Sequence, residues 1–108
     1  MTPHELAREK AELLRRRARK LEAKGELRKA ALALRERAAI VGDGASWVLA
    51  GAMLRRARRP EDAIAALRHG AWLHERAGAV RRARAVAFVL AELDPSDRLA
   101  QRYARRVA

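Results

Sequence analysis

The stretch from Trp47 to Ala71 reads WVLAGAMLRRARRPEDAIAALRHGA and predicts two antiparallel helices joined by a tight turn that ends at Pro60. Pro60 suits the first position of a helix, because its missing N–H is not needed there. Trp47, Gly51 and Leu54 are spaced by four and three residues, so they share one face of the first helix. Since glycine costs about 1 kcal/mol relative to alanine inside a helix, we expect a second helix to pack closely at Gly51.

This hairpin resembles the tetratricopeptide repeat, a helix-turn-helix unit of about 34 residues with small and large side chains at set positions. The resemblance is good over residues 44–77 and departs from the pattern at Ala50, Leu54 and Glu75. The alternative is an ordinary helical hairpin in a bundle without repeats. The residues that the resemblance assigns to packing of the repeat are Trp47, Gly51, Leu54, Ala63, Leu67 and Gly70.

A weaker repeat pattern precedes this hairpin in step with it, and a less regular helical pattern follows it. In an alternative register, the helix over 64–77 and the segment 78–95 form one repeat unit. Thr2 caps a predicted first helix that stops at Gly25, and Asp43 caps the helix that contains Trp47. A last helix from Ser96 to about Val107 would cap the stack, with Leu99, Tyr103 and Val107 inward. We therefore predict an all-α domain over residues 1–108, in which antiparallel hairpins stack as a short right-handed α-solenoid of about six helices. Its approximate units are 11–43, 44–77 and 78–108.

The predicted helix over 78–93 has Val80, Ala83, Ala87 and Leu90 on one inward stripe. It also contains the segment AVAFVLA at 85–91, which is apolar on every side. A helix that is apolar all round is normally buried on several faces. We expect neighbouring helices to cover it, and a homodimer through this helix is a further hypothesis.

The residue types present argue against catalysis and against bound metals. There is no cysteine, and two serines, one threonine and one tyrosine offer no nucleophile with a matched base. His69 and His74 are five residues apart, which is not the spacing of a helical zinc pair. We expect no enzyme activity, no metal and no cofactor. The charged N-terminus and the short uncharged runs predict a cytoplasmic protein with no membrane partner.

The net charge of +12 comes mainly from arginine, with 21 Arg against 4 Lys. GC-rich codon usage would produce this bias; the alternative is a surface that attracts acidic protein, nucleic acid or anionic lipid. Nucleic acid is the weaker hypothesis, because only 4% of the residues are aromatic and could stack on bases. Arg81, Arg82 and Arg84 form a candidate basic surface, since they occupy the first turns of a helix, where the dipole opposes positive charge.

Two residues of the second predicted helix of the hairpin have alternative roles. Trp72 lies beside the apolar stripe, so it either packs on a following helix or is an exposed aromatic anchor for a partner. His74 is expected at an interhelical packing position.

In the family that the hairpin resembles, partners lie in a groove lined by the first helix of each repeat. Carried over to this chain, the groove positions are Glu12, Arg15, Arg19, Glu22, Ala45, Val48, Ala52, Arg55 and Arg56. One use of that groove clamps a peptide carboxylate with Lys, Arg and Asn, but this chain has no Asn. The expected function is therefore a non-catalytic adaptor that binds an acidic or mixed acidic-apolar segment of a partner protein through bidentate arginine contacts.

Overall fold

The computed structural model describes residues 1–107, with side chains described up to residue 105, so the predicted inward side chain of Val107 lies outside the described part. The described residues form six helices and no strand, which confirms the predicted all-α class. The helices are α1 (Pro3–Ala23), α2 (Leu27–Val41), α3 (Gly44–Arg56), α4 (Pro60–Arg76), α5 (Val80–Leu93) and α6 (Arg98–Val107). Predicted and observed helix starts differ by no more than two residues. No helix in the described chain combines the length and hydropathy that a membrane span requires.

Polar side chains cap the starts of α1, α3 and α6. Thr2 Oγ1 accepts from Glu5 N at 3.1 Å, and Asp43 Oδ1 accepts from Ser46 N at 2.8 Å, as the sequence predicts. Asp97 Oδ1 accepts from the backbone N–H of Leu99 at 3.0 Å and of Ala100 at 3.1 Å. Each cap satisfies N–H groups that have no partner within the helix.

The Asp43 cap is part of a small polar network. Ser46 Oγ accepts a hydrogen bond from Arg37 Nη1 at 3.2 Å, which ties the start of α3 to α2. Hydrogen bonds from the Ser46 side chain and backbone hold the pKa of Asp43 below its ordinary value, and the positive charge of Arg37 acts in the same direction. The carboxylate is therefore the favoured form of Asp43 in the folded protein.

The chain turns in the same way after α1, α3 and α4. In each turn one residue has a positive φ, which is 76° at Gly25, 60° at Arg58 and 77° at Gly78. The next N–H then donates back to a carbonyl in the last turn of the helix, as in Glu26 N to Leu21 O at 2.9 Å and Arg59 N to Leu54 O at 3.0 Å. Glycine adopts this conformation without a Cβ penalty, whereas Arg58 does not.

Each helix packs mainly on the helices before and after it in the chain. The resulting molecule measures 48 × 32 × 16 Å along its principal axes. One buried cluster includes Leu34 and Leu54 between the first four helices, and a second includes Leu67 and Leu90 between the later ones. The core is therefore a row of helix contacts along the molecule.

Glycine allows α3 and α4 to pack at close range. A Cβ added to Gly51 would lie 2.7 Å from Leu67 Cδ2, and one added to Gly70 would lie 2.8 Å from Val48 Cγ2 and 3.2 Å from Val48 N. Gly44 meets the buried ring of His74 in the same manner. In each contact a glycine of one helix faces a larger side chain of the other, so the two helices interlock along their length.

The remaining residues assigned to packing of the repeat are also in the core. Leu54 and Ala63 are fully buried, and Leu67 is buried. Trp47 is half-buried against the first cluster.

Burial of α5 differs from the prediction in one respect. Neighbouring helices bury Val86, Ala87 and Leu90, but they leave Phe88 57% exposed. Val80, which the sequence pattern assigns to the inward stripe, is 44% exposed. The reason is that α5 packs only on α4 and α6 and, at its C-terminal end, beside α3.

Candidate functional site

Two ion pairs bring the first helices of successive hairpins together. Glu22 near the end of α1 pairs with Arg56 of α3. Arg55 Nη2 of α3 lies 3.3 Å from Glu92 Oε2 of α5. Consecutive helices are antiparallel, so α1, α3 and α5 run in the same direction and are adjacent at their C-terminal ends.

The ion pairs set the axial register of the three helices. One turn before them come Arg19 on α1, Ala52 on α3 and Phe88 on α5, all exposed. The two preceding turns place further residues on the same faces, since side chains three and four residues apart lie one above the other. We name these nine positions the first-helix surface: Glu12, Arg15, Arg19, Ala45, Val48, Ala52, Arg81, Arg84 and Phe88.

The positions predicted to bind a partner fall into two groups. Arg55 and Arg56 pair with Glu92 and Glu22 within the chain, so their charges are already partly neutralised. Val48 is half-buried with its Cγ2 against Gly70, so it packs α3 on α4.

The other predicted positions are open to a partner. Glu12, Arg19, Ala45 and Ala52 are exposed, and Arg15 is half-buried. Among the described residues, neither Arg15 nor Arg19 has an ion-pair partner.

The predicted basic surface on α5 is divided by the fold. Arg81 and Arg84 lie on the first-helix surface, whereas Arg82 borders a cleft beside Gly44 and Ala77. All three are exposed, and none pairs with a carboxylate in the described part of the chain. The first-helix surface therefore carries four arginines whose guanidinium groups are not neutralised by the chain itself.

Comparisons of this chain with known proteins identify no family. No protein-family model, curated protein or solved structure matches it. The resemblance to the tetratricopeptide repeat thus depends on the residues of 44–77 alone.

Sequence reasoning missed the exposure of Phe88 for a definable reason. The segment 85–91 is apolar on every side, so the whole segment was expected to be covered. The predicted inward stripe is correct at Ala83, Ala87 and Leu90, which are buried. Phe88 lies beside that stripe, and neighbouring helices leave it 57% exposed.

Trp72 belongs to a cluster of ring and guanidinium contacts on α4, away from the first-helix surface. It is 42% exposed, and the His69 ring stacks on it with centroids 5.7 Å apart. The Arg76 guanidinium lies 4.9 Å from the Trp72 ring centroid, and His69 meets Trp47 edge-on at 4.9 Å. Trp72 therefore packs on side chains one turn away along α4. Those contacts account for its position without a partner.

A cleft of about 500 Å³ lies between α4 and the start of α6, and two of its lining arginines, Arg68 and Arg102, already have partners. Arg68 Nε donates to the buried carboxylate of Asp97 at 2.6 Å. Arg102 Nη2 and Tyr103 Oη reach Glu75 at 3.1 Å and 2.8 Å. These contacts fasten α6 to α4, so the cleft is explained by the attachment of the last helix. No cluster of potential metal ligands occurs among the described residues.

Proposed function

We propose that this chain is a non-catalytic protein–protein interaction module whose hairpins stack as a short right-handed α-solenoid of the tetratricopeptide type. The first-helix surface holds a segment of a partner protein, and that segment is acidic or mixed acidic-apolar. The observation that carries the proposal is a pair of ion pairs, Glu22–Arg56 and Arg55–Glu92, which link α1 to α3 and α3 to α5 near their C-terminal ends.

The packing of the helices supports a stacked arrangement. Each helix contacts chiefly its neighbours in the chain, which is how repeat proteins distribute their contacts. Stacked units of this kind present extended surfaces made from equivalent helices. The glycine contacts between α3 and α4 are consistent with such a hairpin, because they bring the two backbones close together.

The charge of the surface supports an acidic partner. Arg15 and Arg19 on α1, and Arg81 and Arg84 on α5, have no ion-pair partner in the described chain. A guanidinium group binds a carboxylate through two parallel hydrogen bonds. Positive charge on the whole molecule also raises the rate at which an acidic partner arrives.

Affinity capture with charge-reversed variants tests this proposal. The bait is the full chain, either unchanged or with Arg15→Glu and Arg19→Glu, incubated with nuclease-treated extract of the source cells. We expect the double variant to lose the partner protein that the unchanged chain retains. Arg55 and Arg56 are left intact, since reversing them would break the ion pairs that join the helices.

The matched control carries Arg16→Glu and Arg17→Glu on the same helix. These arginines are exposed, unpaired among the described residues and outside the first-helix surface. The control has the same net charge as the double variant, so it should keep the partner. Equal capture by all three baits would reject this surface as the binding site. Material that the unchanged chain captures from an untreated extract, but not from the nuclease-treated one, would instead favour nucleic-acid binding.

A further inference from the structure

Phe88 is the only phenylalanine of the chain, and more than half of its side chain is in contact with solvent. Small side chains lie near it: Ala85 is one turn before Phe88 on α5, and Ala52 is one turn before Arg55, which pairs with Glu92 one turn after Phe88. Small neighbours leave room beside the ring for the side chain of a partner. Leaving the ring in water has a free-energy cost that an apolar partner would remove.

The charges around Phe88 are arranged unevenly. On the C-terminal side, Glu92 is one turn away and is paired with Arg55. On the N-terminal side, Arg84 and Arg81 follow at about 6 Å and 10 Å along the helix axis. On α1, Arg19 is one turn before Glu22, whose partner Arg56 adjoins Arg55 on α3. The charge of Glu92 at the C-terminal side of Phe88 is therefore neutralised, whereas Arg84, Arg81 and Arg19 have no ion-pair partner in the described chain.

We propose that Phe88 is the apolar anchor of the first-helix surface and that it selects an acidic segment containing one large apolar side chain. This inference depends on the proposed function, whose surface it uses. An extended chain advances about 3.3 Å per residue, so carboxylates two to three residues from the apolar side chain reach Arg84 and Arg81. The recognition element is thus a leucine-like or aromatic residue with acidic residues at that spacing.

Other occupants of the same surface fit less well. A second copy of this chain would bring like charges together around Phe88, which opposes association. Single-stranded nucleic acid binds through successive aromatic platforms, and Phe88 is the only aromatic residue among the nine positions of this surface. An acidic-apolar peptide matches both the charge and the single ring.

Fluorescence anisotropy with two synthetic peptides tests the inference. One probe of about ten residues carries a single leucine with glutamates two and three residues away on each side. The other has serine in place of the leucine. We expect the unchanged protein to bind the leucine peptide at least about tenfold more tightly than the serine peptide, because buried apolar anchors dominate such interfaces.

Four variants separate the contributions. Phe88→Ala should abolish the preference for leucine and leave the affinity for the serine peptide unchanged, whereas Phe88→Leu should retain most of the preference. Val80→Ala is the matched control, since Val80 is also exposed on α5 but lies outside the surface; it should change neither affinity. The variant with both Arg15→Glu and Arg19→Glu should bind both peptides more weakly.

The possible failures are distinguishable. An unchanged leucine preference in Phe88→Ala would overturn the anchor and leave the proposed function standing. Unchanged binding of both peptides to the charge-reversed variant, or no binding to the unchanged protein, would overturn both. A single-stranded oligonucleotide of matched charge that binds more tightly than the leucine peptide would also reject the inference. The inference would also be rejected if the unchanged protein sedimented as a stable dimer and Phe88→Ala converted it to a monomer.

Discussion

The helices α1 and α3 occupy equivalent places in successive hairpins, yet only one of their two packing faces is alike. The face toward the second helix of the same hairpin is apolar in both. The face toward the preceding hairpin is buried in α3, through Ser46, Ala50 and Met53. At the corresponding places α1 has Leu13, Arg17 and Lys20, all exposed.

This difference distinguishes packing within a hairpin from packing between hairpins. Packing within a hairpin is needed wherever the hairpin lies, so Leu21 and Leu54 correspond. Packing between hairpins is needed only where a neighbour exists, and none of the described helices covers this face of α1. Charged residues are typical of a face of a stacked unit that no other unit covers. The hairpin of α3 and α4 should therefore be more sensitive to substitution than the hairpin of α1 and α2.

The largest expected effect comes from removing the same leucine in each hairpin. Leu54 is fully buried, whereas Leu21 is only half-buried. Leu54→Ala should lower the free energy of unfolding by about 3 kcal/mol, and Leu21→Ala by about half of that. Urea denaturation followed by circular dichroism measures both. Equal losses of unfolding free energy in the two variants would contradict the contrast between the hairpin of α3 and α4 and the hairpin of α1 and α2.

A second substitution tests the close contact between α3 and α4. Helix propensity alone would make Gly70→Ala stabilising by about 1 kcal/mol. The added Cβ would lie 3.1 Å from Gly44 O and 3.2 Å from Val48 N, and these backbone atoms cannot rotate away. We expect a net loss of about 2 kcal/mol. Ala65→Gly, at an exposed position of α4, provides the propensity reference; a stabilised Gly70→Ala would refute the close approach.

Loss of the α3 cap should have a smaller effect that depends on pH. Asp43→Ala removes the bond to Ser46 N and should cost about 1 kcal/mol near pH 7. The folded pKa of Asp43 lies below the ordinary value of 3.8, so the carboxylate stabilises the fold above that pH. This contribution is lost as pH falls through the folded pKa.

Denaturation curves at several pH values between neutral and about 3 give the measurement. The difference in unfolding free energy between the unchanged protein and Asp43→Ala should narrow in the acid range. Thr2→Ala removes the cap of the terminal helix and serves as the control, because threonine does not titrate. If the difference in unfolding free energy between the unchanged protein and Asp43→Ala stayed constant down to the lowest pH, the charge of Asp43 would contribute nothing to stability.

The smallest expected effect is a gain in stability. Arg58 has a φ of 60° at a turn position where the other two equivalent turns have glycine. Arg58→Gly should raise the free energy of unfolding by about 0.5 kcal/mol, since relief of the Cβ strain is partly offset by the greater freedom of unfolded glycine. Gly25→Ala, at the equivalent turn of the terminal hairpin, should be destabilising. Thermal denaturation of both variants checks the sign.

Local patterns in the sequence were sufficient to predict the helices, because apolar spacing, caps and Pro60 act over a few residues. The caps at Thr2 and Asp43 are of this kind. The tight turn before Pro60 was predictable as well. The positive φ of Arg58 was not, because arginine has no preference for that conformation.

The candidate site was predictable in part. Arg15, Arg19 and Ala52 were assigned from the repeat resemblance; in the structure Arg19 and Ala52 are exposed and Arg15 is half-buried. The pairing of Arg55 with Glu92 joins residues 37 positions apart and depends on the register between α3 and α5. That register is set by tertiary packing, which no local pattern contains. Phe88 lies beside the predicted stripe of α5, but the apolar residues on every side of it at 85–91 gave no sign that neighbouring helices would leave it exposed.

The restriction of contacts to neighbours along the chain has a consequence for folding. Forming each contact closes only a short loop, and proteins with such local contacts fold rapidly for their size. Opening should begin at the two ends, with α6 and the start of α1 exchanging their amide hydrogens before α3 and α4 do. The hairpin from Gly44 to Arg76 would then be the last part to open.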